Sequence, residues 1–70
     1  MVNGWKLKLN NGKVMAYAKY SNGKNRKVDI YLATKNPEVV IYSNSRITTR
    51  KSFRSKQNAK VYAKVYMMKY

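Results

Sequence analysis

Nearly all the residues in this chain that could do chemistry are cations. Sixteen Lys and Arg stand against two acids, Asp29 and Glu38, for a net charge of +14. At most two cations can therefore find a carboxylate side chain within the chain. The rest repel one another, which works against the compact state. Solubility needs far less, since a net charge of about 2–8 suits a small domain. The excess points to an acidic partner, with nucleic acid first among the candidates. The Lys are scattered, but three of the four Arg fall in one stretch, Arg46, Arg50 and Arg54, interleaved with Lys51 and Lys56. A guanidinium suits bidentate contact with phosphate or with a guanine edge. This Arg-rich segment is the first choice for the contact.

Other chemistry is thinly represented. There is no Cys and no His, so disulfides, Cys/His zinc sites, histidine bases and cysteine nucleophiles are excluded. Asp29 and Glu38 lie in no recognisable metal-ligand or acid/base spacing, and no glycine-rich stretch precedes Lys-Ser/Thr as a P-loop requires. The expectation is a protein that is not an enzyme and needs no cofactor or metal. No apolar run approaches the ~18 residues of a membrane span, and Met1-Val2-Asn3-Gly4 does not begin a signal peptide. Cytoplasm is the expected location. Lys outnumbers Arg by 12 to 4 and there are eight Asn, a hint of an AT-rich coding genome such as a phage or mobile element. In that case the cytoplasm would be the host's.

Seventy residues make one small basic domain spanning 1–70. At 44% hydrophobic, with seven Tyr and one Trp, the chain is too apolar for a disordered polycation. In residues 4–10, Trp5, Leu7 and Leu9 alternate with Lys6 and Lys8, as in a half-buried strand. Asn10-Asn11-Gly12 marks a tight turn, and residues 13–20 form the returning strand. A second turn over 21–25 leads to a strand over 26–33. Pro37 then breaks the ladder, because it lacks an N–H and restricts Asn36. Glu38-Val39-Val40-Ile41-Tyr42 reads as a fourth strand and residues 46–51 as a fifth.

Residues 55–70 admit two readings. Val and Tyr favour strand, which would give an all-β small barrel of OB or SH3 type. The repeat of Ala-Lys-Val-Tyr at a period of four fits a helix better, with Ser55 as N-cap. Ala59, Tyr62, Ala63, Tyr66 and Tyr70 then share one face, widened by Val61 and Val65, with Lys60 and Lys64 on an exposed arc. The expected fold is α+β: a small antiparallel sheet of four to five strands with a C-terminal helix.

If that helix packs on one sheet face, Ala16 and Ala18 allow its close approach. Leu7, Leu9, Val14, Val28, Ile30, Leu32, Val39 and Ile41 fill the core. Opposite parity then gathers Lys6, Lys8, Lys13, Tyr17, Lys19, Lys27 and Tyr31 outside, joined by Arg46, Thr48 and Arg50 if Ile47 points inward. Cations neutralise phosphates and release counterions, and Tyr rings stack on bases for about 1–3 kcal/mol each in single strands. Tyr17 and Tyr31 could equally form a cross-strand pair that shields the sheet. Trp5 reads as core, and Met67 and Met68 as soft packing.

The hairpin strands around Asn22-Gly23-Lys24, followed by Phe53-Arg54-Ser55-Lys56-Gln57-Asn58-Ala59-Lys60-Val61-Tyr62-Ala63, resemble a sheet-plus-helix DNA-binding module. The pattern is similar to that of phage integrase arm-binding domains and plant AP2-type domains. It is carried by Phe53, Ser55, Ala59 and Ala63 over about twenty residues. The resemblance implies a sheet packed on a C-terminal helix, with the sheet entering the DNA major groove.

The leading expectation is a DNA- or RNA-binding protein that grips the phosphate backbone through a basic sheet face and the Arg-rich segment. The alternative is a small phage-type inhibitor, anti-CRISPR-like, that covers an acidic surface of a host protein or nucleoprotein complex. A ribosome-associated role shares the same charge. A membrane role does not fit cations spread through strands, and an exposed strand edge leaves room for a homodimer.

Overall fold

A computed structural model describes residues 4–21 and 23–70. The expectations for Met1-Val2-Asn3 and for Asn22 lie outside them. Five strands precede one helix: β1 Lys6–Asn10, β2 Val14–Ser21, β3 Lys24–Tyr31, β4 Glu38–Ser43, β5 Arg46–Ser52 and α1 Lys56–Lys69. The strands pair antiparallel in chain order, β1-β2-β3-β4-β5, leaving β1 and β5 as open edges. The fold is the expected small α+β arrangement rather than a closed barrel.

Side chains set the turns. Asn11 Oδ1 accepts from the N–H groups of Lys13 and Val14, each at 2.9 Å, and closes β1 onto β2. Asn44 and Ser45 both take positive φ, 52° and 68°, the two-residue hairpin geometry that matches strand twist. Asn44 also bonds Asn25 twice, donating its N–H to the Asn25 carbonyl at 2.7 Å and accepting the Asn25 N–H on Oδ1 at 3.0 Å. These bonds lock the β4–β5 turn against the start of β3.

The helix begins where Ser55 caps it, its Oγ accepting the Asn58 N–H at 3.1 Å. An N-cap of this kind stabilises a helix by roughly 1 kcal/mol. Its buried line is Ala59, Ala63 and Met67, and it lies over β3 and β4. The core joins that line to Trp5, Val28, Ile30, Leu32, Val39 and Ile41, with Met15, Tyr17, Phe53, Tyr62 and Tyr66 packed around it. Trp5 meets Tyr66 edge-on at 6.1 Å, and Phe53 meets Tyr62 at 5.2 Å.

The face expected for β2 is inverted. Met15 and Tyr17 pair with Ile30 and Val28 and so look toward the helix, whereas Val14, Ala16 and Ala18 pair with Tyr31, Asp29 and Lys27 and look away from it. The small residues that admit the helix are therefore on the helix itself, Ala59 and Ala63, both fully buried.

Two bulges make further corrections. Between Leu7 and Leu9 the β1 register slips, so Leu7 lies opposite Tyr17 and Leu9 opposite Ala16, on different faces. Both are exposed rather than core, because the helix stops short of edge strand β1. In β5 the register slips at Thr48, whose Oγ1 donates to the Ile41 carbonyl at 3.2 Å. Ile47 then faces Tyr42 on the helix-free side instead of pointing inward, and Arg46, opposite Ser43, falls on the helix side instead of outside.

Candidate nucleic-acid interface

The sheet face away from the helix is built by alternate residues of all five strands. Its middle is a cross-strand row, Ala16–Asp29–Val40, and all three residues are buried although no second layer covers them. Asp29 is 5% exposed. Lys27 brings its Nζ to 3.7 Å from Asp29 Oδ2, and the Tyr31 hydroxyl donates to the same oxygen at 3.3 Å. Burial, then the Asp29 carboxylate, then Tyr42 push the Tyr31 phenol up from 10.0 to about 12. Tyr31 thus stays a protonated donor at every physiological pH.

On either side of this row the face is hollowed. The first hollow, about 570 Å³, lies at the end of the sheet where β2 turns into β3 and β4 into β5. Five cations line it, Lys6, Lys8, Lys19, Arg26 and Lys27, together with Tyr20 and Tyr42 and no acid. Lys6, Lys27 and Tyr42 come from the helix-free face, and Lys8 sits at the β1 bulge. Lys19 and Arg26 reach it from the helix side, where they pair with each other across β2 and β3. Both are anchored by the end of the helix. Lys19 Nζ donates to the Tyr70 carbonyl. The Arg26 guanidinium lies 5.0 Å above the Tyr70 ring and donates to the Tyr66 hydroxyl at 3.4 Å. Lys27 also lies 5.3 Å over the Tyr42 ring. Tyr20 is 72% exposed. Lys6 and Lys8 make no ion pair among the described residues.

The second hollow, about 630 Å³, occupies the other end of the same face, between Tyr31, Tyr42, Val40 and Ile47. Of its three charges, Glu38 takes up Arg50 and leaves Lys35. Arg50 Nε donates to Glu38 Oε1 at 2.7 Å, and the Ser52 hydroxyl lies 3.5 Å from Oε2. Both acids of the chain therefore sit on the helix-free face, where the sequence pattern gathers cations, Tyr and Thr48.

The expected site residues divide accordingly. Lys6, Lys8 and Lys27 come together in the first hollow, and Lys19 joins them from the opposite side of the sheet to that expected. Tyr17 is not on the outer face, because it packs on the core opposite Val28. Lys13 is not in a strand but in the β1–β2 turn, at the far end. Tyr31 lies on the expected face but is occupied by Asp29.

The Arg-rich segment does not form one patch. Arg50 faces outward in its pair with Glu38, while Arg46 and Lys51 turn to the helix side. Lys51 stands 5.1 Å over the Tyr62 ring. Arg54 follows β5, and Lys56 opens the helix. The pattern missed Arg26, Tyr20 and Tyr42. Their signal lay in pairing register, since Arg26 reaches Lys19 and Tyr42 reaches Lys27 only once the strands are aligned.

Among the described residues no three His, Cys, Asp or Glu converge as a metal site, and no helix is long and apolar enough to cross a membrane. Comparison with family models, curated proteins and solved structures gives no match.

Proposed function

We propose that this protein binds nucleic acid, with the backbone phosphates in the acid-free hollow formed by Lys6, Lys8, Lys19, Arg26 and Lys27. The observation that carries this reading is local rather than global: five cations line one concavity, and both acids of the chain lie outside it. Phosphodiesters neutralised there release the counterions condensed on the nucleic acid and relieve the mutual repulsion of the five cations. Tyr20 at the rim offers a ring on which an unpaired base can stack. DNA and RNA share this chemistry, so the hollow sets the register of the backbone rather than a sequence.

The test is fluorescence anisotropy with nuclease-cleared protein on single-stranded and duplex DNA and RNA across a salt series. Neutralising four or five phosphates gives a slope of log affinity on log salt of about −3 to −4. Affinity that is the same at about 50 and 200 mM salt overturns the reading. A stoichiometric protein retained from nuclease-treated lysate would identify an acidic protein surface as the partner instead.

A further inference from the structure

A third concavity lies on the opposite side of the molecule, in the seam between the helix and strands β2 and β3. It encloses about 250 Å³ and is walled by Trp5, Met15, Tyr17, Ile30 and Met67, with Lys60 and Lys64 along its helix side. We propose that this seam binds a small amphiphilic carboxylate with an aliphatic chain of about six to eight carbons. Its volume accommodates roughly eight non-hydrogen atoms at the ~30 Å³ that a liquid water occupies. Two independent features select that chemistry.

The walls are apolar, so an aliphatic chain entering the seam leaves water at a gain. The mouth is cationic. Lys60 and Lys64 stand one helical turn apart, both exposed, and neither forms an ion pair among the described residues. An ammonium pair at that spacing is matched by a carboxylate, whose charge-assisted hydrogen bonds are the stronger kind.

Trp5 is fully buried and walls the seam from within. A cationic or neutral amphiphile lacks the match to the two ammonium groups. The site is separate from the phosphate hollow, so its test is independent of nucleic-acid binding.

Trp5 is the only Trp in the chain, which makes its emission a direct reporter of the seam. The experiment titrates the full chain with butyrate, hexanoate and octanoate, and with octanol and octylamine as controls. Octanoate is expected to shift or quench Trp5 emission saturably, each added methylene tightening binding about fourfold until the seam is full. Octanol is expected to bind more weakly, and octylamine not to bind.

The surface variant Lys60→Glu/Lys64→Glu is expected to lose octanoate binding by tenfold or more with an unchanged circular dichroism spectrum. Lys6→Gln/Lys8→Gln is expected to keep it. The proposal is overturned if octanoate leaves Trp5 emission unchanged up to ~10 mM, a range that spans weak millimolar binding. Equal binding of octylamine, or full binding by the folded Lys60→Glu/Lys64→Glu variant, overturns it as well.

Discussion

Two hollows of similar size share the helix-free face, and they differ in where the acids are. At one end Lys6, Lys8, Lys19, Arg26 and Lys27 meet with no carboxylate among them. At the other, Glu38 takes Arg50 at 2.7 Å and leaves a single cation, Lys35. Asp29 stands between them, buried, and reaches only as far as Lys27. In a chain with sixteen cations the cations alone say little about location. The two acids say more, because each neutralises its neighbourhood and leaves the remaining concavity as the place where positive potential accumulates.

Paired removal of equal charge breaks or sustains that contrast. Lys6→Gln/Lys8→Gln removes two charges from the open hollow, and Lys13→Gln/Lys35→Gln removes two from the far end of the molecule. The first is expected to lower nucleic-acid affinity at low salt by tenfold or more and to flatten the salt slope by about two. The second is expected to change affinity by less than about threefold, through long-range field alone. Equal losses in the two variants, measured by anisotropy, would show that net charge rather than the hollow does the binding.

The next largest effect concerns Tyr20, which belongs to the cationic end only. Tyr20→Ala is expected to weaken single-stranded binding by about 1–3 kcal/mol, the usual worth of one stacked base. Duplex binding is expected to stay within about twofold, since paired bases offer no free face to an edge ring. Equal losses on single strand and duplex would assign Tyr20 a scaffold role.

Element identity was legible in the sequence because it is local. The Asn11-Gly12 turn, the break at Pro37 and the Ser55 cap each act within a few residues, and each is found where it was expected. Facing was not legible. In β2, Val14, Ala16 and Ala18 form one apolar line, and Met15 and Tyr17 begin the other, so alternation offers two answers. The choice is made across the sheet, where Met15 and Tyr17 meet Ile30 and Val28.

The bulges at Lys8 and Thr48 are equally silent, since one extra residue flips everything after it without leaving a mark in composition. The hollow itself draws on residues from Gly4 to Ser45, contributed by the ends of several strands. Neighbours in sequence such as Arg50 and Lys51, read as one cluster, are sent to opposite faces by the same alternation.

Glu38 offers a way to make the two ends alike. Glu38→Gln frees Arg50 and raises the local charge by one. Affinity for single-stranded DNA is expected to rise about two- to fivefold at low salt, with a slope steeper by about one. The stability loss is expected to be at most ~1 kcal/mol in urea unfolding, because the Arg50 side chain is 66% exposed and such pairs are weak. Unchanged affinity would mean that the second hollow lies outside the bound strand's path.

The smallest effect is expected at Tyr31, whose pH dependence is confined to alkaline solution. Burial and the neighbouring Asp29 carboxylate hold the Tyr31 phenol protonated up to about 12 in the folded chain, against 10.0 when unfolded. Below pH 10 both states carry the proton, and this group gives stability no pH dependence. Between about 10 and 12 the unfolded chain releases it while the folded chain keeps it. The unfolded state then binds fewer protons, and stability falls as pH rises. Tyr31→Phe removes that titration, so its urea midpoint is expected to fall less steeply than wild type from pH 10 to 12. At pH 7 the variant is expected to lose about 1 kcal/mol, because Asp29 Oδ2 keeps Lys27 but surrenders a hydroxyl donor. Parallel midpoint curves for the two proteins above pH 10 would mean that burial and Asp29 do not hold the Tyr31 phenol protonated in the folded chain.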